Sequence, residues 1–298
     1  MQLIEADYLP QTPCGLFEGP WLVFAPHPDD ETFGMGGAIA LARRQGISVH
    51  IVVMTDGALG GVPSSEDIIN TREKEAWLAA TVLGDATIEF WSAPDRGLLP
   101  SMAMVTRVLT VMAQRAPATV FFPCPLEPHP DHRATACIVW EALRQWHFSA
   151  VPVSYDISAY GPCNRLLDIT PVLGIKEWAM KAYTSQLVER PYLDRVLAHN
   201  RSRTWSLPAT VTHAESFFVF AAQDVALAAM MNHVLSYYCL GLYTVAQAGE
   251  AGVAAEVPPQ ALRMEIGHLN GELVALRHSR SWRMTAPLRR LSRLFRRR

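Results

Sequence analysis

The sequence predicts an α/β fold: a Rossmann-like, mostly parallel sheet with helices on both faces, followed by a basic helical extension at the C-terminus. Short apolar runs rich in β-branched residues alternate with longer helix-like segments through the first half of the chain. This recurrence is typical of βαβ units and hence of parallel sheets. Hydrophobic residues make up 50% of the chain and charged residues 18%, which excludes disordered and collagen-like proteins.

Each predicted strand is a short apolar run. Residues 21–25 (WLVFA) and 119–122 are apolar, and residues 47–55 (ISVHIVVMT) have the β-branched composition expected of a strand buried on both faces. Further strands are predicted at 87–91 and 151–155.

Helices are predicted between these strands. Residues 37–45 have a helix-forming composition that stops at Gly46, and residues 71–84 begin with Thr71 and several charged side chains. The remaining predicted helices lie at 101–115, 133–146, 172–186 and 225–242. The strand–helix alternation weakens after about residue 161.

We expect one domain over residues 1–260 and a separate extension over 261–298. In the extension, apolar residues repeat at spacings of four and three, the a/d pattern of a short coiled coil. They are Leu262, Ile266, Leu269, Leu273 and Leu276. Two heptads are few for a stable coiled coil, so the stripe at 262–276 predicts either a homo-oligomer contact or docking on the protein's own body.

The net charge of -2 conceals a basic C-terminus. Nine arginines and no acidic residue follow Leu276, which leaves 17 basic against 28 acidic residues before it. Leu288, Leu291, Leu294 and Phe295 lie on one helical face among these arginines, which suits an anionic membrane surface. We therefore expect peripheral membrane contact and no nucleic-acid partner, with a disordered solubilising tail as the alternative.

Cysteine usage and the N-terminal sequence predict a cytoplasmic protein, with peripheral association on the inner face of the membrane. The five cysteines are widely spread and form no CxxC pair, which argues against a disulfide framework and against a thiolate zinc site. The N-terminus lacks the basic and apolar regions of a secretory signal. Residues 225–249 are too polar for a confident membrane span.

Two segments rich in histidine and aspartate follow predicted strands. APHPDDE spans residues 25–31, directly after the first strand, and PHPDH spans residues 128–132, shortly after the fourth. Ligands of such sheets bind beyond the carboxyl ends of the strands, where these two segments can converge. A single segment of this kind could equally be a loop whose acidic residues cap a helix, but two at strand ends favour a metal site.

Imidazole and carboxylate groups together suit a divalent transition metal, and three protein ligands with one open position form a catalytic zinc site. His27, Asp30 and His132 form the candidate ligand set for zinc or another divalent transition metal. A metal held there would polarise a carbonyl group and lower the pKa of bound water. Asp29 is placed to accept a proton from that water, and His129 to stabilise an oxyanion or protonate a leaving amine. This combination predicts hydrolysis of an amide or ester.

With the surrounding sequence, these segments resemble the PIG-L/LmbE-like family of metal-dependent N-acetyl-sugar deacetylases. The resemblance covers roughly residues 20–220, in the family's order of motifs. The further similar segments are TREKEAWLAATVLG (71–84), APDRGLL (93–99), KAYTSQ (181–186) and AESFFVF (214–220), which resemble the family's R-x-x-E helix, Asp-Gly loop, Ser-Gln segment and closing Glu-x-Phe strand. One departure is Pro26, where an alanine usually precedes the histidine; proline fixes φ there and removes no ligand.

The resemblance implies a Rossmann-like fold and specific roles for the residues named above. They are zinc binding by His27, Asp30 and His132, general base catalysis by Asp29, and oxyanion stabilisation by His129. It also suggests Arg72 and Asp95 as contacts to the sugar, and Glu215 as either a buried acid near the site or a plain strand-end acid. The seven remaining histidines are expected to be surface or core residues.

We therefore expect a hydrolase that removes the N-acetyl group from an N-acetylhexosamine unit of a glycan, glycolipid or glycoside. Residues 279–291 (SRSWRMTAPLRRL) also resemble the C-terminal tails of some bacterial surface-polysaccharide glycosyltransferases, which suggests a role in polysaccharide or glycoconjugate biosynthesis. Two alternatives stay open. One keeps the fold and metal but performs another amide hydrolysis or a hydratase reaction, and the other is a non-catalytic, membrane-associated partner of polysaccharide assembly.

Overall fold

A computed structural model of the chain describes residues 12–60, 67–188 and 190–220. Within them, eight strands form a single sheet. The strands are β1 (Thr12–Cys14), β2 (Trp21–Ala25), β3 (Val49–Thr55), β4 (Thr87–Ala93), β5 (Thr119–Pro123), β6 (Val151–Tyr155), β7 (Arg165–Asp168) and β8 (Ala214–Val219). The helices are α1 (Asp30–Arg44), α2 (Ile68–Val82), α3 (Met102–Arg115), α4 (Pro130–Gln145), α5 (Leu173–Lys181), α6 (Thr184–Leu187) and α7 (Tyr192–Ser202), and a 3-10 turn at Thr170–Val172 precedes α5.

The predicted α/β fold with a mostly parallel sheet is confirmed. The strand order is β1-β7-β8-β6-β5-β2-β3-β4, and only β8 runs antiparallel to its neighbours β6 and β7. Strands β2, β3 and β5 are buried along their whole length, as their apolar sequences require. The central strand β2 pairs in parallel with both β3 and β5.

The order of the strands reverses at β2, and this reversal provides a crevice in which a ligand site can form. From β2 the chain proceeds through α1 to β3 on one side, whereas β5 and β6 extend the sheet on the other side. A crevice opens at such a reversal of strand order, outside the carboxyl ends of the strands. The two histidine-rich segments follow β2 and β5, so both border this crevice.

Two apolar layers cover the sheet. One contains Trp21 and Phe121 from the strands with side chains of α1, α2 and α5, and the other contains Phe24 and Phe122 with side chains of α3 and α4. Alternate residues of one strand therefore point to opposite layers. No helix of the described portion is long and apolar enough to cross a membrane.

Helix α1 begins seven residues earlier than the predicted start at residue 37, because packing overrides the low helix propensity of its glycines. A Cβ atom added to Gly34 would meet Tyr155 at 2.5 Å, and one added to Gly37 would meet Ile169 at 2.6 Å. Glycine thus permits a close approach of α1 to its neighbours. The helix is interrupted at Met35, whose φ of -141° and ψ of 25° are not helical.

A buried ion pair satisfies backbone groups around this interruption. Lys176 on α5 and Glu215 on β8 are fully buried, with 2.7 Å between Nζ and Oε1. Lys176 also donates to the carbonyl oxygen of Phe33, while Glu215 accepts from the N–H groups of Gly37 and Ala38. The pair therefore supports α1 on both sides of the interruption, and Glu215 is a buried structural residue within the core.

Several elements differ from the sequence prediction. Helix α4 starts at Pro130, three residues before the predicted start, and the segment predicted as one helix over 172–186 is divided into α5 and α6. Strands β1 and β7 and helix α7 were not predicted. The helix at 225–242, the domain boundary at residue 260, the stripe at 262–276 and the arginine-rich end lie outside the described residues and stay predictions.

Candidate active site

The first site segment turns sharply from β2 into α1. Asp29 is the residue before the helix and adopts φ 143° and ψ -28°, in the positive-φ region that few side chains tolerate. Its carbonyl oxygen accepts hydrogen bonds from the N–H groups of Thr32 and Phe33, which fixes the first turn of the helix. This turn places the side chains of His27, Asp29 and Asp30 at the crevice, and all three are buried.

The second segment joins β5 to α4 and brings His132 to Asp30. Oδ2 of Asp30 lies 3.0 Å from Nδ1 of His27 and 3.3 Å from Nε2 of His132. Donor atoms around a tetrahedral ion with bonds of about 2.0–2.2 Å are roughly 3.3–3.6 Å apart. Asp30 thus lies close to both imidazoles, and the donor types of these three residues suit a divalent transition metal.

A buried carboxylate lies behind each of the two imidazoles. Oδ2 of Asp131 is 3.2 Å from Nε2 of His27, and Oε2 of Glu127 is 3.5 Å from Nδ1 of His132. In metal sites such carboxylates fix the tautomer and orientation of a ligating histidine. The other ring nitrogens, Nδ1 of His27 and Nε2 of His132, are the ones that lie near Asp30.

Both carboxylates are themselves held by the backbone. Asp131 accepts the N–H groups of Arg96 at 2.7 Å and Leu98 at 3.3 Å. Glu127 accepts the N–H groups of Ile157 and Ser158. These bonds stabilise the ionised form, because N–H donors favour the charged carboxylate.

Charge around the histidines favours a cation. Burial opposes protonation of His27 and His132, but the surrounding carboxylates outweigh burial. The pKa of His27 is held well above its ordinary value, chiefly by hydrogen bonds to Asp131 and Asp30. Asp30, and then Glu127, raise the pKa of His132 to about 9. Excess negative charge of this kind is what a metal cation would neutralise.

Asp29 has a different environment from Asp30. Burial raises the pKa of Asp29 to about 7, and the nearby Arg72 opposes this rise. By contrast, burial of Asp30 is outweighed by His132 and His27, so that its pKa lies well below the ordinary value. Two adjacent carboxylates with such separated pKa values suit different tasks, namely proton transfer for Asp29 and cation binding for Asp30.

Arg72 positions Asp29. Its guanidinium donates to Oδ2 of Asp29 at 3.0 Å and to the carbonyl oxygens of Pro28 and Gly57, and the side chain is almost fully buried. These bonds support the strained turn. Arg72 also lines the cavity described below, so its predicted contact with the sugar stays a prediction.

His129 lies beside the two buried histidines. Its nitrogen atoms and those of His27 and His132 include a set within 4.8 Å of one another, and its ring meets that of His27 edge-on at 4.6 Å between centroids. Nδ1 of His129 accepts the N–H of Asp131, which leaves Nε2 as the donor of the neutral ring. Burial, followed by His27 and His132, lowers the pKa of His129 and keeps the ring neutral.

A cavity of about 610 Å³ opens above these residues. Its floor contains Asp29, Asp30 and the three histidines, and Asp95 adds a carboxylate 3.5 Å from Nε2 of His27. Burial raises the pKa of Asp95, but the hydrogen bond to His27 outweighs it and lowers the pKa to about 2. The volume lies within the usual range for small-ligand pockets.

The structure thus brings together all seven residues predicted for the site. Sequence reasoning missed the supporting carboxylates Glu127 and Asp131, although Asp131 lies inside the PHPDH segment. It also treated His199 as a surface or core residue, whereas His199 lines the cavity. Its position on α7 gave no signal, because α7 itself was not predicted.

The match to known proteins covers this same region. Residues 22–143 match the model of the PIG-L family, described as GlcNAc-PI de-N-acetylase. The chain is 29% identical over 200 residues to diacetylchitobiose deacetylase of Thermococcus kodakarensis, an alignment that covers 58% of this chain and 74% of that protein.

Two further similarities agree with this match. The chain is 28% identical over 160 residues to 4-oxalmesaconate hydratase of Pseudomonas putida, covering 51% of this chain and 58% of the hydratase. Its fold is similar to the crystal structure of the conserved protein TT1542 from Thermus thermophilus, with a TM-score of 0.60 and 28% identity over 67% of this chain and 93% of the other. The part of the chain that matches the PIG-L family model, residues 22–143, contains both histidine-rich segments.

Proposed function

We propose that this protein is a metal-dependent hydrolase that removes the N-acetyl group from an N-acetylhexosamine unit of a glycan, glycolipid or glycoside. One observation carries the proposal: Oδ2 of Asp30 lies within 3.3 Å of a nitrogen atom of both His27 and His132, directly beside the buried carboxylate of Asp29. The family match and the similarity to a diacetylchitobiose deacetylase support the same reaction.

In this proposal His27, Asp30 and His132 hold zinc or another divalent transition metal. The carboxylates of Asp131 and Glu127 orient the two imidazoles, as carboxylates commonly do behind ligating histidines. When bound, such a metal polarises a carbonyl group and makes water a stronger nucleophile at neutral pH.

Asp29 acts as the general base. Its pKa of about 7 lies near physiological pH, where a carboxylate can both accept and return a proton. It therefore takes a proton from the attacking water and can pass it to the nitrogen of the leaving amine. The hydrogen bond from Arg72 fixes the direction of the carboxylate during both transfers.

His129 acts as a hydrogen-bond donor to the acetamide oxygen as negative charge develops there. Its neutral ring carries the proton on Nε2, because Nδ1 accepts the N–H of Asp131. Asp95 and Arg72 line the same cavity and are proposed to contact the sugar, together with apolar side chains such as Phe33 and Tyr192.

A second candidate is a hydratase reaction with the same residues, favoured by the similarity to a 4-oxalmesaconate hydratase. The two reactions are distinguished by their products. A deacetylase releases acetate and a free amine from an N-acetylated sugar, whereas a hydratase adds water to a carbon–carbon double bond and releases no acetate.

A cytoplasmic role in bacterial surface-polysaccharide or glycoconjugate biosynthesis is also part of the proposal. It rests on the sequence of the C-terminal extension and on the four cysteines of the described residues, Cys14, Cys124, Cys137 and Cys163, none of which forms a disulfide with another described residue. Peripheral membrane contact through the arginine-rich end, and a homo-oligomer through residues 262–276, are tested by vesicle sedimentation and by light scattering of the full chain.

The proposed reaction is tested by Asp29→Asn, with acetate release from N,N'-diacetylchitobiose and metal content measured on the same samples. General base catalysis contributes about 10²–10⁴-fold, so acetate release is expected to fall by at least about 100-fold while the metal content stays unchanged. The matched control is Asp85→Asn. Asp85 is exposed and has a φ of 59°, a conformation that asparagine also adopts well. Equal turnover by both variants would exclude Asp29 as the base.

A further inference from the structure

We infer that His199 binds the substrate, by accepting a hydrogen bond from one hydroxyl group of the sugar through Nδ1. The inference deepens the proposed deacetylase function and rests on it. No step of the proposed reaction uses His199, although its side chain lines the same cavity as Asp29 and the three histidines of the floor.

Helix α7 brings the imidazole of His199 to the cavity. Tyr192, Val196 and His199 all line the cavity, and their spacing of four and then three residues places them on the same side of the helix. The side chain of His199 is only 14% exposed, so protein surrounds most of the ring. His199 is therefore part of the cavity wall and differs from a histidine of the open surface.

A carboxylate stands behind the ring and determines which nitrogen carries the proton. Oδ2 of Asp156 lies 3.5 Å from Nε2 of His199, and this nitrogen is buried without a hydrogen bond to any described residue. A carboxylate at this distance attracts an N–H group and repels a nitrogen lone pair, so the proton belongs on Nε2. A neutral imidazole has one donor and one acceptor nitrogen, which leaves the lone pair on Nδ1.

Asp156 and Tyr160 hold the ring in place. Asp156 is buried, forms an ion pair with Arg203 and accepts the hydroxyl group of Ser216 at 2.7 Å. Tyr160 lies against the imidazole of His199, with 4.3 Å between the ring centroids, and its other contact is the guanidinium of Arg203 at 4.5 Å. The ring is thus fixed at one edge and on one face, and Nδ1 is the nitrogen left for a ligand.

The loop after β6 links His199 to the metal-ligand candidates. Asp156 follows β6 directly, and the backbone N–H groups of the next two residues donate to Glu127, the carboxylate behind His132. One short loop therefore supports both His132 and His199. A sugar bound at both points has its acetamide oriented over the floor of the cavity, and such orientation lowers the entropic part of the barrier.

The chemistry of Nδ1 identifies the group that it binds. A lone pair attracts an O–H group and repels a carboxylate, a phosphate or a carbonyl oxygen. Hydroxyl groups are the main donors of an N-acetylhexosamine, since its other donor, the acetamide N–H, belongs to the reacting group. Because the ring is fixed, we expect it to recognise the hydroxyl group at one position of the sugar.

The test measures kcat/KM for acetate release from the methyl glycoside of N-acetylglucosamine and from its 3-deoxy, 4-deoxy and 6-deoxy forms. The assay is run at about pH 8, where an imidazole with an ordinary pKa is neutral. For the wild-type protein, at least one deoxy compound is expected to lose about 3- to 10-fold, the effect of one net hydrogen bond. A fluorine at the same position should cause the same loss, because fluorine cannot donate.

Variants of His199 show whether this loss arises from the imidazole. His199→Phe keeps a ring against Tyr160 but removes the acceptor, so the loss for that deoxy compound should disappear while losses at other positions persist. His199→Asn places an amide oxygen near the position of Nδ1 and should restore the loss. The matched control is His213→Phe, which changes a half-buried histidine outside the cavity and should keep the wild-type pattern.

Circular dichroism checks the folding of each variant. His199→Ala also removes the acceptor and favours the helix, so it repeats the comparison if His199→Phe does not fold. The same losses in the wild-type protein and in the variants without the acceptor, or no loss for any deoxy compound, would overturn the inference and leave the proposed function standing. Acetate release from none of the compounds would overturn both.

Discussion

Removal of the buried Lys176 should destabilise the domain strongly, because it leaves the Glu215 carboxylate without its cation. Breaking a buried ion pair by deleting one partner costs about 3–5 kcal/mol. Glu215 keeps the N–H donors of Gly37 and Ala38, so we expect a loss near the lower limit, about 3 kcal/mol, for Lys176→Met. In a domain of about 200 residues this corresponds to a decrease in Tm of roughly 6–12 °C.

Thermal unfolding followed by circular dichroism measures this loss. Lys181→Met is the matched control, because Lys181 is exposed on the same helix and only lies over the ring of Trp178, a contact worth less than about 1 kcal/mol. The double variant Lys176→Met/Glu215→Gln should lose less than the sum of the single variants, since it removes both charges together. If Lys176→Met and Lys181→Met had the same Tm, the claim that the loss of Lys176 leaves a destabilising, unpaired carboxylate at Glu215 would be refuted.

Three further predictions concern the site. Glu127→Gln should weaken zinc binding by about 10–100-fold in a competition titration with a chelator, because His132 loses the carboxylate behind it; an unchanged affinity would show that Glu127 does not orient the ring. His129→Ala should retain the full metal content but lose most acetate release, whereas loss of the metal would make His129 a ligand. Metal binding at pH 7 should release about two protons, because the raised pKa values of His27 and His132 keep both rings protonated in the metal-free protein. Affinity should therefore rise with pH through the pKa of His132, about 9. Calorimetry in buffers of different ionisation enthalpy would contradict this by showing no proton release.

The sequence predicts the central part of the fold because local and global signals agree there. Strands β2 and β6 occupy the predicted residues 21–25 and 151–155, and β3 ends at the predicted Thr55. These strands are apolar and lie between turns, so burial on both faces can be recognised from composition alone. The converging site segments follow from the same reasoning, because one directly follows β2 and the other comes shortly after β5.

Other parts depend on contacts distant in sequence. Helix α1 begins at Asp30, and its first turns pass through a glycine-rich stretch. Close packing on Tyr155 and Ile169 stabilises these turns, and no local sequence pattern reveals that packing. Strand β7 is only four residues long and pairs with the antiparallel β8, so neither spacing nor composition indicates it. Segments of this kind are defined by tertiary contacts more than by their own propensities.

The supporting residues of the site were missed for a similar reason. Glu127 precedes the PHPDH segment by a single position and has no sequence feature of a functional acid, yet its side chain is fully buried beside His132. His199 and Arg195 reach the cavity because α7 packs over it, although this helix is distant in sequence from the second segment. Sequence patterns indicated the donor atoms, whereas the groups that orient them became apparent only in three dimensions.

The central claim is that His27, Asp30 and His132 hold a metal that deacetylation requires. The most direct measurement is acetate release from a mixture of neutral and anionic N-acetylglucosamine glycosides, before chelation, after chelation, and after addition of zinc to the chelated protein. Chelation is expected to abolish acetate release, and about one equivalent of zinc is expected to restore it, since the three donors define one site. Acetate release that survives complete removal of the metal, or none from the zinc-loaded protein, would contradict it.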